Sequence, residues 1–261
     1  MESCPEFVVA APPERHSSAG VVALHRLADE IGRHTSCYVA EYTDKFRCPK
    51  FPDSIVIYPE KLVGNPLRGR KVVRYLLNKE GALTGKMTVN PGDFVLSYSK
   101  TFTEKPDHII HQCNFDLIGD AGLPWGERKI DAFYVGKGAK YGPCARPEGA
   151  IEITRDWPPT KAELYDLLRR VRHFFSWDGL SQTNLDALLC GAYPLILRYD
   201  PMTRAELVRY EVPVIVDDES QLEQTRIVAM NAIKCIQAGF SESVVQFIEK
   251  ARSWQFQTMA N

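Results

Sequence analysis

Short apolar runs that alternate with helix-like stretches limit most strongly what this chain can fold into. In the second half of the sequence, strand-like runs at 132–135, 150–154, 173–176 and 194–197 are separated by two clear helical patterns. The first pattern opens at Thr160, whose spacing from Glu163 makes a capping box, and the second covers 183–190. Strands that alternate with helices pack as a parallel sheet, so this half predicts a Rossmann-like unit.

The first half contains a similar pattern. A run at 72–77 fits either a strand or a helix, and clearer strand-like runs fall at 7–11, 37–41, 55–58 and 94–98. A helical pattern follows the first run, where Ser17 or Ser18 can cap the helix and Gly32 stands where it ends. Both halves are therefore predicted to be α/β.

A stretch rich in glycine, proline and charge at 116–128 marks the expected border between the halves. We place a first domain at 1–125 and a second at 126–261. Near the carboxyl end, Ser220 and Glu223 make a second capping box, Gly239 is expected to stop that helix, and Ser241 to cap a last one. The last helix could cross back onto the first domain.

The charge balance gives no sign of a nucleic-acid partner or an anionic membrane surface. The chain has 32 Lys and Arg against 33 Asp and Glu, a net charge of −1. No apolar run approaches the roughly 20 residues that span a bilayer, and the amino terminus lacks the pattern of a secretory leader. The seven cysteines form no C-x-x-C pair, and their odd number argues against a complete disulfide framework. We expect a cytoplasmic protein without a transmembrane segment.

The segment 176–194 carries the most specific chemistry. A strand ends at Ser176, a polar loop follows, and a helix starts around Ser181, Gln182 and Thr183. Backbone N–H groups and hydroxyls that meet at a helix amino terminus suit a diphosphate. Asp186 lies roughly one turn into the helix, where its carboxylate can accept hydrogen bonds from the two hydroxyls of a ribose.

This segment resembles the donor-site motif of GT-B glycosyltransferases, mainly the retaining ones. That motif has an acidic residue, seven residues, a second acidic residue, Ala, two apolar residues, a small residue and Gly. Asp178 and Asp186 occupy the acidic positions, where the family usually has glutamate. The resemblance implies two Rossmann-like domains that face a cleft, in a compact form. It also implies transfer of a sugar from a nucleotide-diphosphate donor to a glycan acceptor, with retention, without a metal and without a further cofactor.

Other stretches fit the same family in the expected order. The residues 134–138 look like the first strand and loop of its nucleotide-sugar domain, and 57–60 are similar to an acceptor-domain segment. On the donor side, the resemblance implies diphosphate contacts near Gly136, Lys137, Lys140 and Arg155. On the acceptor side, the loop after the first strand holds His16, Ser17, Ser18 and Gly20. The catalytic candidates are His16 and Glu60, as a base or for hydroxyl positioning, together with Asp178.

Each of these assignments has a competing interpretation. The two aspartates and the three cations could be ordinary solvated side chains. A sugar-nucleotide epimerase has a similar paired architecture, and an inactive nucleotide-sugar-binding subunit would keep the donor motif without catalysis. NAD binding is disfavoured because Tyr141 replaces the third glycine of a dinucleotide fingerprint, and zinc because His108 and His111 would lie on opposite faces of a strand. No D-x-D triplet is present, so no metal site is predicted.

Overall fold

The computed structural model describes residues 4–14, 18–113 and 121–254. The chain divides into two compact units, which we call the first unit (Met1–Cys113 with Ile236–Asn261) and the second unit (Asn114–Cys235). This division differs from the predicted domains 1–125 and 126–261 in two segments. Residues 114–125 belong to the second unit, and residues 236–261 belong to the first. Both units are built on parallel sheets, which confirms the α/β class.

The sheet of the first unit has, within the described ranges, six parallel strands in the order β2-β1-β3-β4-β5-β6. The strands are β1 Phe7–Ala11, β2 Cys37–Glu41, β3 Ile55–Pro59, β4 Lys71–Leu76, β5 Phe94–Ser97 and β6 His108–Ile109. The ambiguous run at 72–77 is thus a strand. The order reverses between β1 and β3, so the loops that follow these two strands flank a crevice.

Each face of this sheet is covered differently. On one face, Phe7 and Val9 pack with Leu24 of α1 (Ala19–Gly32) and with Val244 and Phe247 of α5 (Leu222–Ser253). The other face is covered by irregular segments, whose apolar side chains join the core; these include Tyr42, Phe51 and Leu67. In the described part of this unit, a helix connects consecutive strands only between β1 and β2, where α1 lies.

The second unit has, in its described part, a four-stranded parallel sheet in the order β10-β9-β7-β8. Its elements are β7 Ile130–Tyr134, β8 Ile151–Ile153, α2 Lys161–Leu168, β9 Val171–Ser176, α3 Gln182–Leu189, β10 Tyr193–Ile196 and α4 Arg204–Val208. The strand and helix pattern predicted for 132–197 is confirmed, and so is the capping box, in which Thr160 and Glu163 bond each other's backbone N–H groups. The short helix α4 was not predicted.

The carboxyl-terminal helix corrects one prediction. The expected pair of helices is a single helix, α5, which runs through Gly239. The expected Ser220 box does not form, because the Asp218 side chain instead accepts the Ser220 N–H in a 3-10 turn ahead of the helix. Phe240, Val244 and Phe247 bury an apolar stripe in the core of the first unit, and this burial outweighs the cost of about 1 kcal/mol for a helical glycine.

Two further observations concern the chain as a whole. All seven cysteines lie in the described ranges and are free thiols. Within those ranges, the helices are too short or too polar to cross a bilayer.

Candidate functional site

The predicted donor residues of the second unit gather at the carboxyl edge of its sheet. From β7 the chain goes to β8 on one side and then to β9 on the other, so the strand order reverses between β7 and β9. Two segments follow these strands: a 3-10 turn, Gly136–Tyr141, and the loop that leads from Ser176 into α3. Open α/β sheets bind ligands in the crevice at such a reversal.

Asp178 joins these two segments. Its side chain is buried, and its Oδ2 atom accepts the backbone N–H of Lys137 at 2.9 Å. Gly136 has a φ of +52°, and a Cβ there would lie 2.6 Å from the same oxygen. The carboxylate therefore lies under the turn and holds it by its backbone. Its predicted catalytic role stays a prediction.

The 3-10 turn is held on its other side by Arg198. Arg198 lies shortly after β10. Its guanidinium donates to the carbonyl oxygens of Gly138 at 2.6 Å, Gly142 at 3.0 Å and Pro143 at 2.9 Å. Sequence reasoning missed this residue. The only available signal was an arginine directly after the fourth strand of the unit, where a side chain reaches the carboxyl edge.

The amino end of α3 contains the donor-site residues predicted from the sequence, Ser181, Gln182 and Thr183. Ser181 is the N-cap, and its Oγ accepts the N–H of Thr183 at 3.2 Å. Asn184 is fully buried and donates to the carbonyl oxygens of Asp178 at 2.8 Å and Gly179 at 3.1 Å, which fixes the loop that precedes the helix. These bonds pre-organise the first turn of α3.

Tyr134 connects this helix end to the neighbouring strands. Burial raises the pKa of its phenol and the Asp178 carboxylate raises it further, while Arg155 and a hydrogen bond with Ser181 oppose the rise. Tyr134, Asp178, Ser181 and Arg155 therefore share one electrostatic environment. Sequence reasoning did not single out Tyr134, although it ends the first strand of the unit.

Asp186 lies in the second turn of α3 and is buried against α2. The Nζ atom of Lys161, the first residue of α2, lies 3.1 Å and 3.3 Å from the two carboxylate oxygens. Burial raises the pKa of Asp186, and the Lys161 ammonium opposes the rise. Gln182 also lies near this carboxylate and lowers its pKa, but its amide nitrogen has no hydrogen bond of good geometry within the described residues.

The three predicted cations lie on the same edge. Lys137 is partly exposed, and Lys140 and Arg155 are exposed. The ammonium of Lys140 lies 5.7 Å from the centre of the Tyr141 ring. In the described ranges, no three His, Cys, Asp or Glu side chains are grouped so that they could hold a metal ion.

The acceptor-side residues belong to the first unit. Ser18 is the N-cap of α1 but its side chain makes no capping bond, and Gly20 lies in the first turn of that helix. Glu60 directly follows β3; it is buried, and its Oε2 atom accepts the backbone N–H of Leu77 at 3.1 Å. His16 and Ser17 lie outside the described residues.

Comparison of the chain with protein-family models gives no match, and comparison with curated proteins gives none either. Its function is therefore inferred from the site itself.

Proposed function

We propose that the second unit binds a nucleotide-diphosphate sugar at the carboxyl edge of its sheet and that the protein transfers the sugar to a glycan acceptor. One observation carries the proposal. The Gly136–Tyr141 turn and the amino end of α3 meet at the strand-order reversal and are joined there by Asp178. A helix amino end beside a glycine-containing turn at such a reversal is a common site for phosphate groups.

The leaving diphosphate would lie against the first turn of α3. Backbone N–H groups and the positive end of the helix dipole favour negative charge there, and Ser181 and Thr183 lie at this end of the helix. Lys137, whose backbone N–H bonds Asp178 in the loop before α3, supplies a cation. Negative charge grows on this phosphate as the bond to the sugar breaks, so these groups stabilise the transition state more than the bound donor.

The ribose would be held by Asp186. Because the Lys161 ammonium already pairs with this carboxylate, ribose hydroxyls must share it with Lys161 or displace it. The Lys161 side chain is 45% exposed, and its length allows it to move aside or to contact the ribose itself.

On the acceptor side, the candidates are Glu60 and His16. With retention of configuration the departing phosphate can take the acceptor proton, so no strong protein base is needed. In that case Glu60 and His16 position the acceptor hydroxyl. The proposal requires no metal ion.

A thermal-shift screen with UDP, GDP and dTDP sugars tests the binding step, and CMP sugars, which carry a single phosphate, are the contrast. Binding to the folded state alone raises its stability, so one base class should raise the melting temperature. Asp186→Asn should weaken binding of that sugar nucleotide by roughly 10- to 100-fold, the loss expected for hydrogen bonds to a charged group. Asp166→Asn, which changes an exposed carboxylate on α2, is the matched control and should bind normally. The proposal is wrong if none of the UDP, GDP and dTDP sugars shifts the transition.

The reaction itself is tested by incubation of the bound donor with and without glycan acceptors. Transfer releases the nucleotide diphosphate only when an acceptor is present. A change of sugar configuration without acceptor would instead identify an epimerase. Binding with neither outcome, across a broad acceptor set, would identify a nucleotide-sugar-binding subunit.

A further inference from the structure

Trp157 stands out at the edge that carries the proposed donor site. All four tryptophans lie in the described ranges; Trp157 is 45% exposed, Trp177 is buried, and Trp125 and Trp254 are partly buried. Trp157 lies in the turn that follows β8, and the N–H of Thr154 donates to its carbonyl oxygen at 2.8 Å. An exposed indole is thus held on a short, hydrogen-bonded turn.

The sheet register places this turn beside the site. Tyr134 on β7 pairs with Ser176 on β9 and with Ile153 on β8, so all three strands end at the same level. Neighbouring strands are about 4.8 Å apart, so the turn after β8 begins roughly 5 Å from the turn after β7. Arg155, in the same turn as Trp157, lowers the pKa of the Tyr134 phenol against the opposite effect of Asp178.

The chain also connects the proposed ribose position to the turn that carries Trp157. Lys161 pairs with Asp186 and follows Trp157 by four positions. The capping box of Thr160 and Glu163 fixes the chain between them. A base attached to a ribose at Asp186, on the side of Lys161, would therefore lie toward the turn that carries Trp157.

Among the described residues, the opposite side of the site has no aromatic side chain as exposed as Trp157. Beyond β10, Leu197 is exposed but aliphatic, Tyr199 is only partly exposed, and the guanidinium of Arg198 is already engaged by backbone carbonyls. Nucleobases stack on aromatic faces with little regard to their identity, whereas an aliphatic side chain gives no flat partner.

We infer that the exposed face of Trp157 stacks against the nucleobase of the donor, an inference that rests on the proposed function. Trp157 then contributes affinity for any nucleobase, and Arg155 beside it adds a cation. Preference for one base must come from other groups around the turn.

Calorimetric titration of Trp157 variants with UDP, GDP, dTDP and CMP tests this inference. For the nucleotide that wild type binds most tightly, Trp157→Ala should weaken binding roughly 5- to 150-fold, the range that loss of base stacking produces. Trp157→Phe keeps a ring and should recover much of that loss. Nucleotide binding should also quench the tryptophan fluorescence of wild type, and this quenching should disappear in Trp157→Phe. Trp125→Phe, at the opposite edge of the sheet, removes another indole and should leave affinity and quenching unchanged.

The outcomes separate this inference from the function on which it rests. If wild type binds a nucleotide and Trp157→Ala binds it equally well, the stacking role is refuted while the proposed function stands. The same holds if Trp157→Phe is as weak as the alanine variant although both melt like wild type. If wild type binds none of the four nucleotides, both proposals fail.

Discussion

At the scale of single residues, backbone contacts determine how closely the two segments of the site approach each other. A Cβ atom at Gly138 would overlap the carbonyl group of Trp177, next to Asp178. Because the neighbouring atoms include backbone, rotation of a side chain cannot relieve this overlap. The approach of the 3-10 turn to the loop before α3 therefore requires glycine at this position.

We predict that Gly138→Ala lowers the free energy of unfolding by about 1–3 kcal/mol, the usual cost of an overpacked site. Gly126→Ala is the matched control, since a Cβ there meets no atom within 4 Å, and it should change stability by no more than about 0.5 kcal/mol. Urea unfolding of the two variants measures both values. Equal stabilities of the two variants would mean that the turn does not pack against the Trp177 carbonyl group at Gly138.

At the scale of secondary structure, α5 illustrates how packing can override a local stop signal. Gly239 is exposed, and a Cβ at this position would meet nothing within 4 Å. The residues that follow it, Phe240, Val244 and Phe247, belong to the core of the first unit. The helix continues because ending it at Gly239 would take these side chains out of register with that core.

We predict that Gly239→Ala stabilises the protein by about 0.5–1 kcal/mol, because alanine loses less backbone freedom in a helix than glycine. Ala238→Gly, at the exposed neighbouring position, should destabilise it by a similar amount. Chemical denaturation and helical circular dichroism report both effects. A destabilised Gly239→Ala variant would indicate that the chain leaves the helix at this residue, as the local pattern suggested.

At the scale of the whole chain, polar contacts tie the last turn of α5 to the beginning of the first unit. Arg252 donates to both carboxylate oxygens of Glu6 at 2.6 Å and 2.8 Å, and Thr35 also donates to Glu6. The Lys71 ammonium donates to carbonyl oxygens at the end of α5, including that of Arg252 at 2.6 Å. The Lys71 bonds satisfy backbone carbonyls at the helix end that would otherwise lack partners within the helix.

The same contacts predict a dependence of stability on pH. The Arg252 hydrogen bond lowers the pKa of Glu6 to about 2 against burial, with help from Thr35 and from the Arg252 charge. The folded state thus binds the Glu6 proton more weakly than the unfolded state, whose value is near 4.5. The stabilisation is complete above about pH 5 and disappears as the pH falls toward 2.

Glu6→Gln should therefore be less stable than wild type at pH 7, and the difference should shrink as the pH is lowered toward 3. Urea midpoints at pH 7, 5 and 3 measure this convergence. Glu242→Gln, an exposed change on α5, is the control and should follow the wild-type profile. A constant gap between Glu6→Gln and wild type across this range would show that the Glu6 charge does not contribute.

Most local elements could be predicted from the amino-acid sequence alone. Short apolar runs that end at turn residues indicate strands, and β1 and β2 coincide with the predicted runs 7–11 and 37–41. Capping involves residues three positions apart, so the start of α2 at Thr160 could be predicted. By contrast, the two-residue β6 and the five-residue α4 are too short to show a period.

Which polar groups meet depends on how the elements pack in three dimensions. Asp178 and Asp186 could be selected from their spacing, but their partners Lys137 and Lys161 are 41 and 25 positions away along the chain. The carbonyls that Arg198 binds are more distant still. Such pairs arise from the order of strands in the sheet and from the packing of α2 on α3. No local pattern encodes either, because both depend on apolar faces that are far apart in the chain and bury each other.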